Sequence, residues 1–232
     1  MLNVFITGVE NNKNKNFVVG GLSATMQSLG YSCGVYKPIE TGVINKSNDL
    51  MFIKNIDSFI NTYFTYQLEE ELSPILSAAK EGLVMEKEAI IKDYQKIKNK
   101  DECLIVDGLF GLTTPISKNF LEEDIIKILD LPLLLVVSAK MSDINNTILA
   151  VNRARELNID LRGVIINDYP QNTDNEDIKM MSKLIEEYTG TEVLGILPEF
   201  ISTINPSDLI TEILNKVNIE KIFKIKISKL SG

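Results

Sequence analysis

Histidine and tryptophan are absent from this chain, and only two cysteines occur in its 232 residues. Without histidine, His-dependent catalytic triads and His metal clusters are excluded, so lysines, carboxylates, amides and backbone groups must carry any chemistry. Cys33 and Cys103 each stand in an apolar, strand-like run with no CxxC spacing. They read as buried thiols in a reducing compartment, which leaves neither a zinc site nor a disulfide frame. No run approaches the roughly 18 apolar residues needed to span a bilayer. The N-terminus also lacks a basic region followed by an apolar stretch and a small-residue cleavage site. The expected location is therefore cytoplasmic. Positive charge is scarce as well: 24 Lys and Arg stand against 32 Asp and Glu, a net charge of −8 and a pI of about 4.8. That balance argues against a nucleic-acid partner and against an anionic membrane, so any basic site must be local. With 44% hydrophobic residues and no repeat, low-complexity tract or linker, one domain over 1–232 is expected, with a helical tail from about 205.

What the chain does have is a β-branched run, VFIT, ending in Gly8, a polar loop, and then a long apolar segment. Strand, loop, helix is the layout of a phosphate-cradling P-loop, in which backbone N–H groups and a lysine gather at a helix N-terminus. Gly8 and Lys15 suit that layout; Asn14 stands for the second glycine of G-x-x-x-x-G-K-[ST] and Asn16 for its Mg²⁺-binding hydroxyl.

Further along, Phe17, Val18, Leu22, Met26 and Leu29 have helical spacing, with Gly20 and Gly21 costly unless that helix packs tightly. SCGVYK predicts a strand that ends at Lys37, because Pro38 forces the chain into a loop. Helices are expected over 45–58, from Pro74, over 84–98, 121–129, 143–157 and 173–188, the last capped by Thr173 and Asp174. CLIVD, LPLLLVVS, LRGVIIN and EVLGILP complete six candidate strands. Strands alternating with helices mean an open, mostly parallel, doubly wound α/β sheet. In such sheets ligands sit beyond the carboxyl ends of the strands. Lys15, Lys37, Asp107, Lys140 and Asn167 all fall there.

Taken together, TGVENNKNKN at 7–16, YKPIETG at 36–42, SND at 47–49, SPILSAAKEG at 73–82, VDGLFGLTTPI at 106–116, SDIN at 142–145 and IINDY at 165–169 resemble dethiobiotin synthetase over roughly 2–202. The resemblance implies a three-layer, P-loop NTPase-like fold. It also implies an ATP- and Mg²⁺-dependent ligase that turns 7,8-diaminopelargonate and CO₂ into a ureido ring through a phosphorylated carbamate. Carried onto this chain, Gly8, Asn11, Asn12, Lys13, Asn14, Lys15 and Asn16 form the phosphate loop. Lys37 holds the carbamate and γ-phosphate, Thr41 bonds nearby, and Asn16, Asp49 and Asp107 surround Mg²⁺. Asn167 reads adenine with Pro198 in the same pocket. Thr41, Gly108, Ser142 and Asn145 meet the substrate, the last two at a carboxylate site across a homodimer interface.

Each residue also has a plain reading. Lys15 and Lys37 suit solvated loop lysines, Asp107 a strand end, Asn167-Asp168 a turn, and Asp143 and Asn145 helix caps. Asn12 stands where the family carries glutamate, and Phe110 fills the third position of a loop that is normally G-x-G-G. Asparagine at 14 is the mildest departure, since it tolerates left-handed backbone best among non-glycine residues. A bulky ring at 110 is the most consequential, because it stands where backbone must approach a small substrate. Two function classes therefore stand: the ligase, and an impaired homologue that binds a nucleotide or small ligand without turnover.

Overall fold

The structure is a computed structural model that describes residues 1–10, 14–170, 172–200 and 204–227. Its frame is a seven-stranded sheet with the order β3-β2-β4-β1-β7-β8-β9, every adjacent pair parallel. The strands are β1 (Leu2–Thr7), β2 (Cys33–Thr41), β3 (Asn61–Leu68), β4 (Cys103–Asp107), β7 (Leu133–Ser138), β8 (Leu161–Tyr169) and β9 (Val193–Pro198). A small antiparallel ladder, β5 (Pro115–Ser117) with β6 (Phe120–Leu121), follows β4. The central strands β1, β4 and β7 carry continuous apolar runs because both of their faces are covered.

Side chains alternate across the sheet, so one strand feeds two cores. Val4 and Ile6 of β1 face the layer built from α1 (Lys15–Ser28), α2 (Asn48–Ile56), α8 (Pro206–Lys216) and α9 (Ile219–Phe223). Phe5 faces the other layer, with α3 (Pro74–Lys80), α4 (Lys87–Ile97), α5 (Glu122–Leu129), α6 (Met141–Glu156) and α7 (Glu176–Thr189). Helix–sheet–helix makes three layers, as expected.

Gly20 and Gly21 are explained by packing. A Cβ at Gly20 would collide with Ile56 Cδ1, and one at Gly21 would come within 2.8 Å of Ile213 Cγ1. The lysine-rich tail thus covers the sheet through α8, with Leu209 and Ile213 fully buried.

Four expectations are corrected. Strand β2 does not stop at Pro38 but continues to Thr41. It pairs with β4 only as far as Tyr36, and beyond that it pairs with β3 alone, with Pro38 skipped in the register. Its missing N–H therefore falls where one flank has no partner, as proline in a strand requires. Strand β3 is an addition: NTYFTYQL is a half-exposed edge strand whose polar residues mask its aromatic and β-branched content. Helix α2 starts later than 45, where Ser47 Oγ accepts from the Leu50 N–H at 2.9 Å. Helix α7 is capped by Asn175, whose side chain accepts from Asp177 and Ile178, and not by Thr173 or Asp174.

Candidate active site

The carboxyl ends of β1, β2 and β4 meet the first turn of α1. After Thr7, Gly8 turns so tightly that a Cβ would lie 2.8 Å from Glu10 O. Five residues separate Gly8 from position 14, one more than G-x-x-x-x-G-K-[ST]. The likeness therefore rests on placement between strand and helix and not on strict spacing. Asn11, Asn12 and Lys13 lie outside the described residues. Asn14 precedes α1 with φ −88° and ψ 1°, so the left-handed backbone expected there is not adopted. Its side chain instead donates to Asp168 Oδ1 at 2.9 Å, and its carbonyl accepts from Asn167 Nδ2 at 3.1 Å.

From that turn Lys15 reaches under the loop after β4. Its Nζ donates to Asp107 Oδ1 and, at 2.9 Å, to the Gly108 carbonyl. Lys37 comes from β2, where the parallel register with β4 brings it alongside, and its Nζ pairs with Asp49 and with Asp107 Oδ2 at 2.8 Å. Asn16 Nδ2 donates to Asp49 Oδ1 at 2.5 Å. Lys15, Lys37 and Asp107 are buried, while Asp49 is half-buried on α2. Burial works to lower the Lys37 pKa, but Asp107 and Asp49 outweigh it and hold the ammonium above its ordinary value. Burial likewise works to raise Asp107, and Lys15 and Lys37 override it, so this carboxyl titrates below its ordinary range. Lys37 is thus a permanent cation near neutral pH, suited to meeting negative charge and not to accepting a proton.

Lys15, Lys37, Asn16 and Asp49 line a cavity of about 640 Å³ that also includes Thr41, Gly108 and Phe110, while Asp107 is not part of its lining. Gly108 donates its N–H to Ile6 O and its carbonyl accepts from Lys15, so its N–H is not offered to the cavity. The ring of Phe110 does not fill the cavity. It is half-buried against the core and forms a wall shared with a second cavity of about 280 Å³ beside Leu149 and Arg153. Asn167 is buried at the end of β8, its Oδ1 without a partner among the described residues. Pro198 closes β9 opposite Tyr169, at the neighbouring strand end. Ser142 and Asn145 are exposed on the first turn of α6, outside the lining of either cavity. Lys140 is exposed and pairs with Glu10 at 3.0 Å.

Two acids escaped the motif reading. Glu40, inside YKPIETG, is buried in the cavity wall. It accepts from Ser47 Oγ at 2.7 Å and Gln67 Nε2 at 3.3 Å, which ties the end of β2 to the cap of the helix carrying Asp49. Burial raises its pKa against the pull of Ser47 and Lys37. Glu122, at the start of α5, is wholly buried under the loop after β4, and burial pushes its carboxyl up to about 7. Its signal was three consecutive acids before an apolar helix, which reads equally as an ordinary helix start.

A family model described as "AAA domain" matches residues 3–207. ATP-dependent dethiobiotin synthetase BioD of Bacillus velezensis is 30% identical, with 86% of this chain and 87% of that protein covered. The protein of the same name from Bacillus subtilis strain 168 is 29% identical (86% and 88% covered), and that from Clostridium novyi 28% (95% and 97% covered). Among solved structures, the septum site-determining protein MinD of Pyrococcus horikoshii, complexed with Mg-ADP, superposes with a TM-score of 0.59 at 13% identity, covering 99% of this chain and 98% of that one. MinD of Aquifex aeolicus gives 0.57 at 14%, covering 98% and 100%. These structural likenesses concern the fold.

Proposed function

Since the chain belongs to the AAA-domain P-loop family and, within it, to the dethiobiotin synthetases, we propose that it is an ATP-dependent ligase that closes a ureido ring on 7,8-diaminopelargonate. The observation that carries this reading is the convergence of Lys15 and Lys37 on Asp107, with Asp49 beside them, at one end of an open cavity. Two lysines from different elements facing one space suit a phosphate chain and a carbamate, both anionic.

In the proposed reaction an amine of the substrate adds to CO₂ and loses a proton, giving a carbamate. A carbamate oxygen attacks the γ-phosphorus and ADP leaves. The second amine then attacks the carbonyl carbon and loses a proton, phosphate departs and the ring closes. Lys37 would hold the carbamate and γ-phosphate charge, Lys15 the phosphate chain, and Thr41 would donate a hydroxyl hydrogen bond at the cavity wall. Asn167 would present its buried amide to the adenine edge, beside Pro198.

The donor set fits Mg²⁺. Asp49 and Asp107 bring carboxylate oxygens to the same lysine, with Asn16 bonded to Asp49, and no group of three Asp, Glu or Cys side chains able to hold a metal occurs among the described residues. Mg²⁺ is ordinarily held by one or two carboxylates together with substrate phosphates and water. When bound it would neutralise charge on the transferring phosphoryl group. The exposed Ser142 and Asn145 make sense in a homodimer, where a second subunit would complete a site for the substrate carboxylate.

Asn16 favours the second reading, a homologue that binds nucleotide without turnover, because its amide nitrogen is engaged on Asp49. Dethiobiotin formation from diaminopelargonate, bicarbonate and ATP-Mg²⁺, with calorimetric ATP binding alongside, separates the two. ATP binding with no product would replace the ligase by the second reading.

A further inference from the structure

Glu122 is fully buried, and the reaction leaves it without a role. Its two oxygens lie beneath the loop joining β4 to β5, where they accept from the Leu109 N–H at 3.1 Å and the Gly111 N–H at 3.5 Å. A Cβ on Gly108 would collide with Oε1, so the carboxylate sits directly against the loop backbone. The same helical turn grips the loop further on: Glu122 N donates to Thr114 O at 3.0 Å and Glu123 N to Leu112 O at 2.8 Å. Glu123 in turn takes a two-pronged bond from Arg153 of α6, at 2.5 and 2.9 Å.

The loop held in this way follows Asp107 at the end of β4 and carries the Gly108 carbonyl that accepts from Lys15 and the Phe110 ring that walls both cavities. Its N–H groups at 109 and 111 are drawn inward, so the remaining backbone and the ring are what face the cavity. We infer that Glu122 is a positioning residue: it pins residues 108–111 from below and thereby sets the wall against which the diamine binds. The assignment rests on the ligase reading for its substrate. The brace itself stands on geometry alone.

The test compares Glu122→Gln and Glu122→Met with the natural chain at full length. Glutamine keeps one acceptor but turns an NH₂ group toward the second N–H, and methionine offers neither acceptor. KM for diaminopelargonate should rise about tenfold in E122Q and further in E122M, with kcat and the Kd for ATP-Mg²⁺ changed much less. A purely structural glutamate would lower Tm and leave KM unmoved below the melt. Hydrogen exchange on the natural chain needs no variant: the amides of Leu109 and Gly111 should be strongly protected. KM within about twofold in both folded variants, or rapid exchange at those two amides, would overturn the inference. If the natural chain forms no dethiobiotin, the ligase reading falls, and amide protection alone then decides whether Glu122 braces the loop.

Discussion

Replacing Lys37 by methionine removes one ammonium from the buried cluster and keeps most of the aliphatic stem, so charge is tested apart from volume. In the natural chain Lys37 Nζ is shared by Asp49 and Asp107 and its side chain is only 7% exposed. Removing one partner of a buried ion pair costs about 3–5 kcal/mol when the other is stranded. Here Asp107 keeps Lys15, while Asp49 keeps Asn16 and is 31% exposed to water. The loss should therefore fall to about 2 kcal/mol, or roughly 4–8 °C in Tm for a chain of this size. The pH dependence follows from the two shifts. Lys37 is raised, so its stabilisation is present below its ordinary value of 10.5 and lost as pH rises through the folded value. Asp107 is lowered, so its share is present above its ordinary value of 3.8 and lost as pH falls through the folded value. The Tm gap between the natural and variant proteins should thus be flat from about pH 5 to 9 and narrow in stronger acid. Turnover, followed as dethiobiotin and ADP release, should drop by about 10²–10³, the usual loss for one donor aimed at developing charge. A kcat within about threefold of natural would remove Lys37 from the chemistry. A Tm gap that drifts steadily across the neutral range would refute the buried-pair reasoning.

Asn16→Thr should free the Asp49 oxygen now held by the Asn16 amide and restore a compact hydroxyl; titration calorimetry should show ATP-Mg²⁺ binding about tenfold tighter, or about 1.4 kcal/mol. Unchanged affinity would mean that position 16 does not touch the metal. Asn14→Gly should be harmful, because φ at 14 is negative and the bond to Asp168 would be lost. Thermal melts should give a loss of about 1 kcal/mol, and a stabilised variant would contradict the observed backbone. Light scattering at micromolar concentration should report a dimer, and a monomer there would leave Ser142 and Asn145 without the partner the carboxylate site requires.

Much of the layer arrangement was legible because strands and helices announce themselves through period. VFIT, CLIVD and LLLVVS are buried on both faces and read as strands without any knowledge of their neighbours. The phosphate-loop placement, the strand-end lysines and the VDG turn were also local, and they brought Lys15, Lys37 and Asp107 forward as candidates, while Asp49 came only from the family resemblance through SND at 47–49. Where local rules misled, a neighbour was responsible. Pro38 looked like a strand terminator because its effect depends on which flank of β2 carries a partner, and that is a property of the sheet. Asn14 looked like a glycine substitute because the motif suggests left-handed backbone, whereas a bond to Asp168, 154 positions away, accompanies an ordinary φ.

The sequence by itself determined an acidic, histidine-free, doubly wound chain with cationic strand ends. Only the tertiary structure decided which charges meet: Lys15 and Asp107 are 92 positions apart, Lys37 and Asp107 70. Hydrophobic periodicity records which face of an element is buried, but not which strands lie side by side. The order β2-β4-β1 carries Lys37 to Asp107 and sets α1 above both. The same packing turns Glu122 from one of three helix-start acids into the one enclosed beneath the cavity wall, because a helix turn shows its buried side only once something is packed against it.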